Sequence, residues 1–120
     1  MEDTPKQTEL PADLPVVALS GEIDLAVAPA MQEQLDALFG EGKTTIVVDL
    51  LDATFLDSIA LGVLVGALER CRKNGGELHL VVTEPRILRV LEITGLLTTF
   101  PIHSTWQGHA PEGHVTEVDS

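Results

Sequence analysis

The sequence predicts an α/β fold: one small domain with about three helices and a mostly parallel (mixed) four- to five-stranded sheet. Short β-rich runs alternate with helical patterns, one of these runs is apolar at nearly every position, and glycine or proline stands at most boundaries. Alternating strands and helices favour crossover connections, and therefore a parallel sheet. The 120 residues fit a single domain.

The first strand and the first helix occupy the beginning of this pattern. Residues 14–19 form a short β-rich run that closes at Ser20 and Gly21. From Val27 the pattern becomes helical, because Pro29 suits a first helical turn and apolar side chains recur at helical spacing in Met31, Leu35, Leu38 and Phe39. The glycines at 40 and 42 end this helix.

The second strand and the second helix follow. Residues 45–50 are almost continuously apolar, as expected for a strand that is buried on both faces. A turn over residues 51–57 leads to a helix that is apolar over residues 59–68 and charged from Glu69 to Lys73. The sequence Asn74-Gly75-Gly76 ends it.

The remaining elements are a strand, a helix and a last short strand. Residues 78–82 form the third strand, and Pro85 opens a helix that ends near Gly95. The inward side of this helix carries Ile87, Leu88, Val90 and Leu91. Residues 98–103 are expected to form a strand at the edge of the sheet, because Pro101 cannot donate a hydrogen bond to a neighbour.

The two ends of the chain differ in composition from its middle. Residues 1–14 and 106–120 are acidic and hold several of the prolines and glycines. We expect them to be flexible segments on either side of a domain of residues 15–105.

Charge and composition exclude several classes of function. There are 19 acidic residues against 7 Lys and Arg, and the net charge of −12 repels phosphate backbones and anionic lipid headgroups. We therefore expect no nucleic acid and no membrane among the partners. The apolar stretch of residues 59–68 is about half of a bilayer span. No signal peptide follows Met1, so a cytoplasmic location is expected.

Patterns typical of metal binding or catalysis are absent or misplaced. The histidines His103, His109 and His114, even with Glu112, match no structural zinc spacing, so we predict no metal and no cofactor. Cys71 is the single cysteine, which excludes an internal disulfide and leaves a thiol without a resolving partner. No nucleophile elbow is present, and we predict that the protein is not an enzyme.

One pair of residues remains as a candidate: Asp57 and Ser58, at the start of the second helix. Either side chain can accept hydrogen bonds from the free N–H groups of a first turn, so either is an ordinary N-cap. Alternatively, Ser58 is a phosphoacceptor, because a phosphate there would meet free N–H groups and the positive end of the helix dipole. The phosphate would add about −1.5 to −2 charge beside Asp57 and would repel a partner. The residues alone leave both interpretations open.

A set of motifs resembles the STAS domain, and more closely the bacterial anti-sigma factor antagonists. The set runs in order over roughly residues 15–100. It comprises Gly21-Glu22-Ile23-Asp24 after a strand, Pro29 at a helix start, the sequence FLDSIALGVL at residues 55–64, and Gly75-Gly76-Glu77-Leu78.

The resemblance implies a site and two partners. The phosphoacceptor would be Ser58 with Asp57 beside it, and Glu22 and Asp24 would match the acidic loop near the acceptor. In that family the cognate anti-sigma factor is a serine kinase. The unphosphorylated antagonist binds this kinase and frees a sigma factor, and a serine phosphatase resets the switch. The expected contact surface is the loop from Gly21 to Pro29 with the first turns of the second helix, including Ile59, Leu61 and Gly62.

Two other functions stay open. Where the family usually has a small polar residue and then glycine after the acceptor, this chain has Ile59 and Ala60. This difference favours a constitutive STAS-type scaffold or ligand-binding module in which Ser58 is only a cap. A small hydrolase would need a histidine near Ser58, for which His79 is the candidate within the domain. We expect a monomer or a weak dimer.

Overall fold

A computed structural model describes residues 10–109 of the chain. The elements alternate between strand and helix as the sequence predicts, and within the described residues they form one small α/β domain. In chain order they are β1 (Val16–Ile23), α1 (Ala28–Gly40), β2 (Thr45–Leu56), α2 (Ser58–Lys73), β3 (Glu77–Val81), α3 (Pro85–Ile93) and β4 (Ile102–His103).

The four strands form a single sheet in the order β1-β2-β3-β4, and every neighbouring pair is parallel. Each helix therefore crosses from one strand to the adjacent one. Because all the crossovers step in the same direction and share the usual right-handed sense, the helices are expected on one face of the sheet. The main core confirms this, since buried side chains of all three helices pack in one cluster with Ile46, Val48 and Leu50 of β2.

Strand β2 is longer than the sequence indicates. It runs to Leu56 through the predicted turn at residues 51–57, and β1 likewise continues through Gly21 to Ile23. The β1–β2 register shifts twice, and at each shift β2 contains one extra residue. Such bulges bend a strand without ending it. The first is held by the N–H of Leu51, which donates to Oδ1 of Asp49 at 3.1 Å.

The opposite, helix-free face of the sheet carries a second small apolar cluster. Val47 and Val81 of the sheet pack there with Trp106, and Leu10, Leu14 and Leu51 lie against them. The indole Nε1–H of Trp106 donates to the carbonyl of Pro11 at 3.1 Å.

These contacts involve residues on both sides of the expected domain of residues 15–105. Residues 10–14 and 106–109 pack against the sheet, because a helix-free face would otherwise leave its apolar side chains in water. The rest of both terminal segments, with Glu112 and His114, lies outside the described residues.

The edge strand β4 is shorter than expected. Only Ile102 and His103 of the predicted residues 98–103 pair with β3. The preceding Pro101 has no N–H, but its carbonyl accepts from the N–H of Leu80 at 2.9 Å.

Candidate functional site

The start of α2 is organised by Asp57. This residue has extended backbone, and its Oδ1 accepts from the N–H of Ala60 at 2.8 Å. Its carbonyl accepts from the N–H of Leu61 at 2.9 Å, which opens the helical hydrogen-bond ladder. Asp57 is therefore the N-cap of α2.

Ser58 is the first residue of α2 and is exposed. Within residues 10–109 its hydroxyl has no hydrogen-bond partner. Because Asp57 supplies the cap, the Ser58 hydroxyl is available at the helix terminus. The N-cap role, which the sequence leaves open between these two residues, thus belongs to Asp57. Ser58 remains the candidate phosphoacceptor.

The end of β1 lies beside the end of β2 and fixes the surroundings of Ser58. In the parallel register Ile23 pairs with Leu56, and Glu22 pairs with Phe55. The N–H of Asp57 then donates to the carbonyl of Ile23 at 3.1 Å. The β1–α1 loop and the first turn of α2 therefore form one continuous surface.

The acidic residues of this loop have different environments. Glu22 is exposed on β1. Asp24 is half-buried, and its Oδ1 accepts from the N–H groups of Ala26 at 3.0 Å and Val27 at 3.3 Å. Asp24 therefore stabilises the turn into α1 as well as adding negative charge. Gly21 has a φ of +72°, a conformation that side chains rarely adopt.

The expected contact residues of α2 divide into outward and inward positions. Ile59 and Gly62 are exposed, with 51% of Ile59 accessible. Leu61 is only 6% accessible and belongs to the main core. As the fourth residue after Asp57 it is directed towards the sheet, so its side chain is not exposed on the expected contact surface.

Two exposed apolar residues that the sequence analysis did not name individually as contact residues also lie here, although Leu25 falls within the expected loop from Gly21 to Pro29. Leu25 in the β1–α1 loop is 66% exposed, and Phe55 near the end of β2 is 38% exposed. For Leu25 a signal exists in the sequence: a large apolar residue follows directly after an acidic turn residue and precedes the helix. Phe55 carries no such signal, because Leu56 beside it is equally apolar and the sequence does not show which of the two faces the core.

None of the three histidines within residues 10–109 forms a catalytic site with Ser58. His79 pairs in register with Val47, which lies nine residues before Leu56 in β2, more than about 20 Å along the strand. Its Nδ1 lies 3.1 Å from Nε2 of His103, with which it shares a hydrogen bond. Burial lowers the pKa of His79, and the neighbouring His103 lowers it further; burial also lowers the pKa of His103. These two imidazoles are a structural pair.

The third described histidine, His109, contacts acidic side chains. Its Nδ1–H donates to Oδ2 of the buried Asp49, and its Nε2 lies 3.6 Å from Asp52. Within residues 10–109 no group of three or more His, Cys, Asp or Glu is placed to hold a metal ion. Across the same residues, no helix is long and apolar enough to cross a bilayer.

The fold and the site together define the class of protein. A model of the STAS domain family matches residues 5–108, and this chain belongs to that family. An anti-sigma-B factor antagonist of Bacillus subtilis (strain 168) is 36% identical over 92 residues, which cover 77% of this chain and 84% of the relative. The chain therefore lies in the anti-sigma factor antagonist branch of the family.

Solved structures agree with this assignment. An anti-sigma factor antagonist from Mycobacterium paratuberculosis has a TM-score of 0.68 and 28% identity, covering 94% of this chain and 100% of the other. A crystal structure from Thermotoga maritima has a TM-score of 0.70, also at 28% identity, and covers 82% of this chain and 84% of the other. The fold of this chain is thus shared with these two relatives over most of their length.

Proposed function

We propose that this protein binds an anti-sigma factor of the serine-kinase type while Ser58 is unphosphorylated, and that this binding releases a sigma factor. Phosphorylation of Ser58 then ends the complex. The observation that carries the proposal is the exposed Ser58 hydroxyl at the first position of α2, which has no hydrogen-bond partner among residues 10–109, with Asp57 already serving as the cap.

The phosphoryl transfer itself requires little from this chain. Ser58 Oγ attacks the terminal phosphorus of the kinase's ATP, the hydroxyl proton leaves to the kinase's base, and ADP departs. A serine phosphatase reverses the state by using water to break the Oγ–phosphorus bond, which returns the hydroxyl and inorganic phosphate. The protein contributes the substrate hydroxyl and the docking surface, and no catalytic group of its own.

The helix terminus explains why a phosphate at Ser58 would change binding without unfolding the domain. The first-turn N–H groups and the helix dipole favour an anion there by about 0.3–1 kcal/mol. The same phosphate adds about −1.5 to −2 charge next to Asp57, on a surface that already carries Glu22 and Asp24. A partner that approaches with its own carboxylates or apolar atoms is therefore repelled, and like-charge contacts at an interface cost several kcal/mol.

The proposal also covers the location, the partners and the oligomeric state of the protein. The net charge of −12 disfavours nucleic acid and anionic membranes as partners, and we propose that the protein acts in the cytoplasm. A single copy presents the complete surface around Ser58. We therefore propose a monomer, or a weak dimer, as the form that binds.

The experiment that tests this function is a pull-down from the host lysate with wild type, Ser58→Ala and Ser58→Asp as baits, read by mass spectrometry. We expect wild type and Ser58→Ala to retain an anti-sigma factor of the kinase type and Ser58→Asp to release it. The retained protein, once purified, should transfer phosphate from ATP to wild type but not to Ser58→Ala.

A different pattern would support the constitutive scaffold. If all three baits retain the same partner equally, the hydroxyl of Ser58 has no switching role and the phospho-switch is refuted. Thermal unfolding of each bait is the control, since a collapsed fold would also release the partner.

A further inference from the structure

Large exposed apolar side chains are concentrated next to Ser58. Of the five in residues 10–109, three lie at this end of the domain: Leu25, Phe55 and Ile59. Exposed apolar residues that lie singly need no explanation, whereas a contiguous group on a small domain marks an interaction site.

Two of these residues border a shallow apolar groove. Its volume is about 240 Å³, and its walls come from the β1–α1 loop, the first turns of α1 and one face of α2: Leu25, Ala28, Pro29, Gln32, Ile59 and Val63. Ile59 and Val63 lie four residues apart, so they occupy the same face of α2. A groove of this size can accept one large aliphatic or aromatic side chain, but not a whole helix.

The groove is built from fixed parts of the fold. The Asp24 turn holds the backbone on which Leu25 stands, through its contacts with Ala26 and Val27. The Asp57 cap fixes the first turn of α2, which carries Ile59. Rigid walls lower the entropy cost of binding, which is what a recognition pocket requires.

Acidic residues adjoin the groove-lining residues along the chain. Asp24 directly precedes Leu25, Asp57 lies two residues before Ile59, and within residues 21–32 there is no Lys or Arg to balance them. A complementary partner surface therefore has an apolar side chain at its centre and basic groups around it. The same acidic residues repel anionic lipid headgroups, which argues against a membrane as the occupant.

We propose that the Leu25–Ile59 groove receives an apolar side chain of the anti-sigma factor, flanked there by Lys or Arg, and that Leu25 and Ile59 determine which anti-sigma factor binds. This inference rests on the proposed function, because Ser58 adjoins Ile59 and makes the groove continuous with the phosphoacceptor. A phosphate on Ser58 places its charge at the edge of an apolar contact, where burial of a charge is costly. The groove thus couples partner choice to the switch.

The test uses the purified kinase-type anti-sigma factor that Ser58→Ala retains, titrated calorimetrically with Leu25→Ser, Ile59→Ser and wild type. Removing a large aliphatic contact from the centre of an interface is expected to weaken binding by at least about tenfold for each variant. Ile93→Ser is the matched control, since Ile93 is 69% exposed on α3, away from the groove, and should bind as wild type does. All four proteins should unfold at similar temperatures, because the substituted side chains are exposed.

The outcomes separate this inference from the proposed function. If the anti-sigma factor binds wild type and is released by Ser58→Asp, but Leu25→Ser and Ile59→Ser bind unchanged, the groove proposal is refuted and the switch stands. If no anti-sigma factor binds any form, the proposed function itself fails. If sedimentation shows a dimer of the protein alone that Leu25→Ser and Ile59→Ser dissociate, the occupant is a second copy and the proposal is overturned.

Discussion

The imidazole of His109 lies against a carboxylate in the middle of the sheet: its Nδ1 is 2.5 Å from Oδ2 of Asp49. Asp49 is only 3% exposed, and its other oxygen accepts from the N–H of Leu51 at the first bulge of β2. One buried carboxylate therefore fixes both the bulge and the segment that follows β4. The indole of Trp106, three residues earlier, packs on the same face.

This contact predicts a measurable loss of stability on removing the imidazole. His109→Ala leaves the buried Asp49 with only one hydrogen bond, so we expect the free energy of unfolding to fall by about 1–3 kcal/mol. Urea unfolding followed by the fluorescence of Trp106, the only tryptophan, measures it. In the double variant His109→Ala, Asp49→Asn, the Asp49→Asn substitution should lower the free energy of unfolding by less than it does in the wild-type background. The reason is that it removes the carboxylate charge that His109→Ala leaves unpaired. Strictly additive losses would show that the two side chains do not interact.

The N-terminus of α2 predicts a loss of stability for one of two adjacent substitutions and almost no change for the other. Asp57→Ala removes the acceptor for the N–H of Ala60 and should lower the free energy of unfolding by about 0.5–2 kcal/mol. Ser58→Ala removes an exposed hydroxyl without a described partner and should change it by less than about 0.5 kcal/mol. Chemical denaturation of both variants beside wild type gives the comparison. An equal loss for both would mean that Ser58 shares the capping role.

The order of the elements was predictable from the sequence, because apolar periodicity and glycine or proline boundaries are local signals. The pairing of β1 and β2 beyond residue 50 was not predictable. The sequence predicts a turn at residues 51–57, yet Asp49 forms a hydrogen bond within its own strand and allows β2 to continue through a bulge. A carboxylate that ends a strand and one that stabilises a bulge look alike in a sequence.

For the candidate site, local reasoning located the α2 terminus but not the details around it. Which of Asp57 and Ser58 caps the helix depends on backbone angles, and the burial of Leu61 depends on the direction in which α2 meets the sheet. The packing of Trp106 on Val47 joins residues almost sixty positions apart, which no local pattern reveals.

The single thiol is predicted to be chemically inert in the folded protein. Burial raises the pKa of Cys71 to about 11; the nearby Glu77 also raises it, and Arg70 lowers it less than these two raise it. At pH 8 only about a thousandth of the thiol would be thiolate, the reactive form. We expect no labelling by an aromatic disulfide reagent over minutes at pH 8 and complete labelling in urea. Rapid labelling of the folded protein would contradict the burial of this side chain.

Stability is predicted to fall on mild acidification because of His79 and His103. Burial lowers the pKa of both imidazoles, so the unfolded chain, with ordinary pKa values near about 6.5, binds protons more readily. Their contribution is therefore complete above about pH 6.5 and is lost as the pH falls through the lowered values. Urea unfolding between pH 7.5 and 5 should show a smaller loss for the double variant His79→Gln, His103→Gln. The charged group that opposes this trend is Glu77, which raises the pKa of His79; a wild-type stability that increases towards pH 5 would refute the assignment.

Two glycines of this chain are predicted to respond oppositely to a methyl group. At Gly76, which joins α2 to β3, a Cβ would lie 1.9 Å from the backbone oxygen of Thr44, so the turn would have to move. Gly76→Ala should therefore lower the free energy of unfolding by about 1–3 kcal/mol or more, or prevent folding altogether. At Gly66, on the exposed side of α2, a Cβ would meet no atom within 4 Å, and Gly66→Ala should stabilise by about 0.5–1 kcal/mol because alanine has the higher helix propensity. Thermal unfolding of the pair against wild type tests both signs in one experiment. Because Gly66 is outside the surface around Ser58, the stabilised variant should also bind the anti-sigma factor as wild type does. A tolerated Gly76→Ala would show that the close approach to Thr44 is not required by the fold.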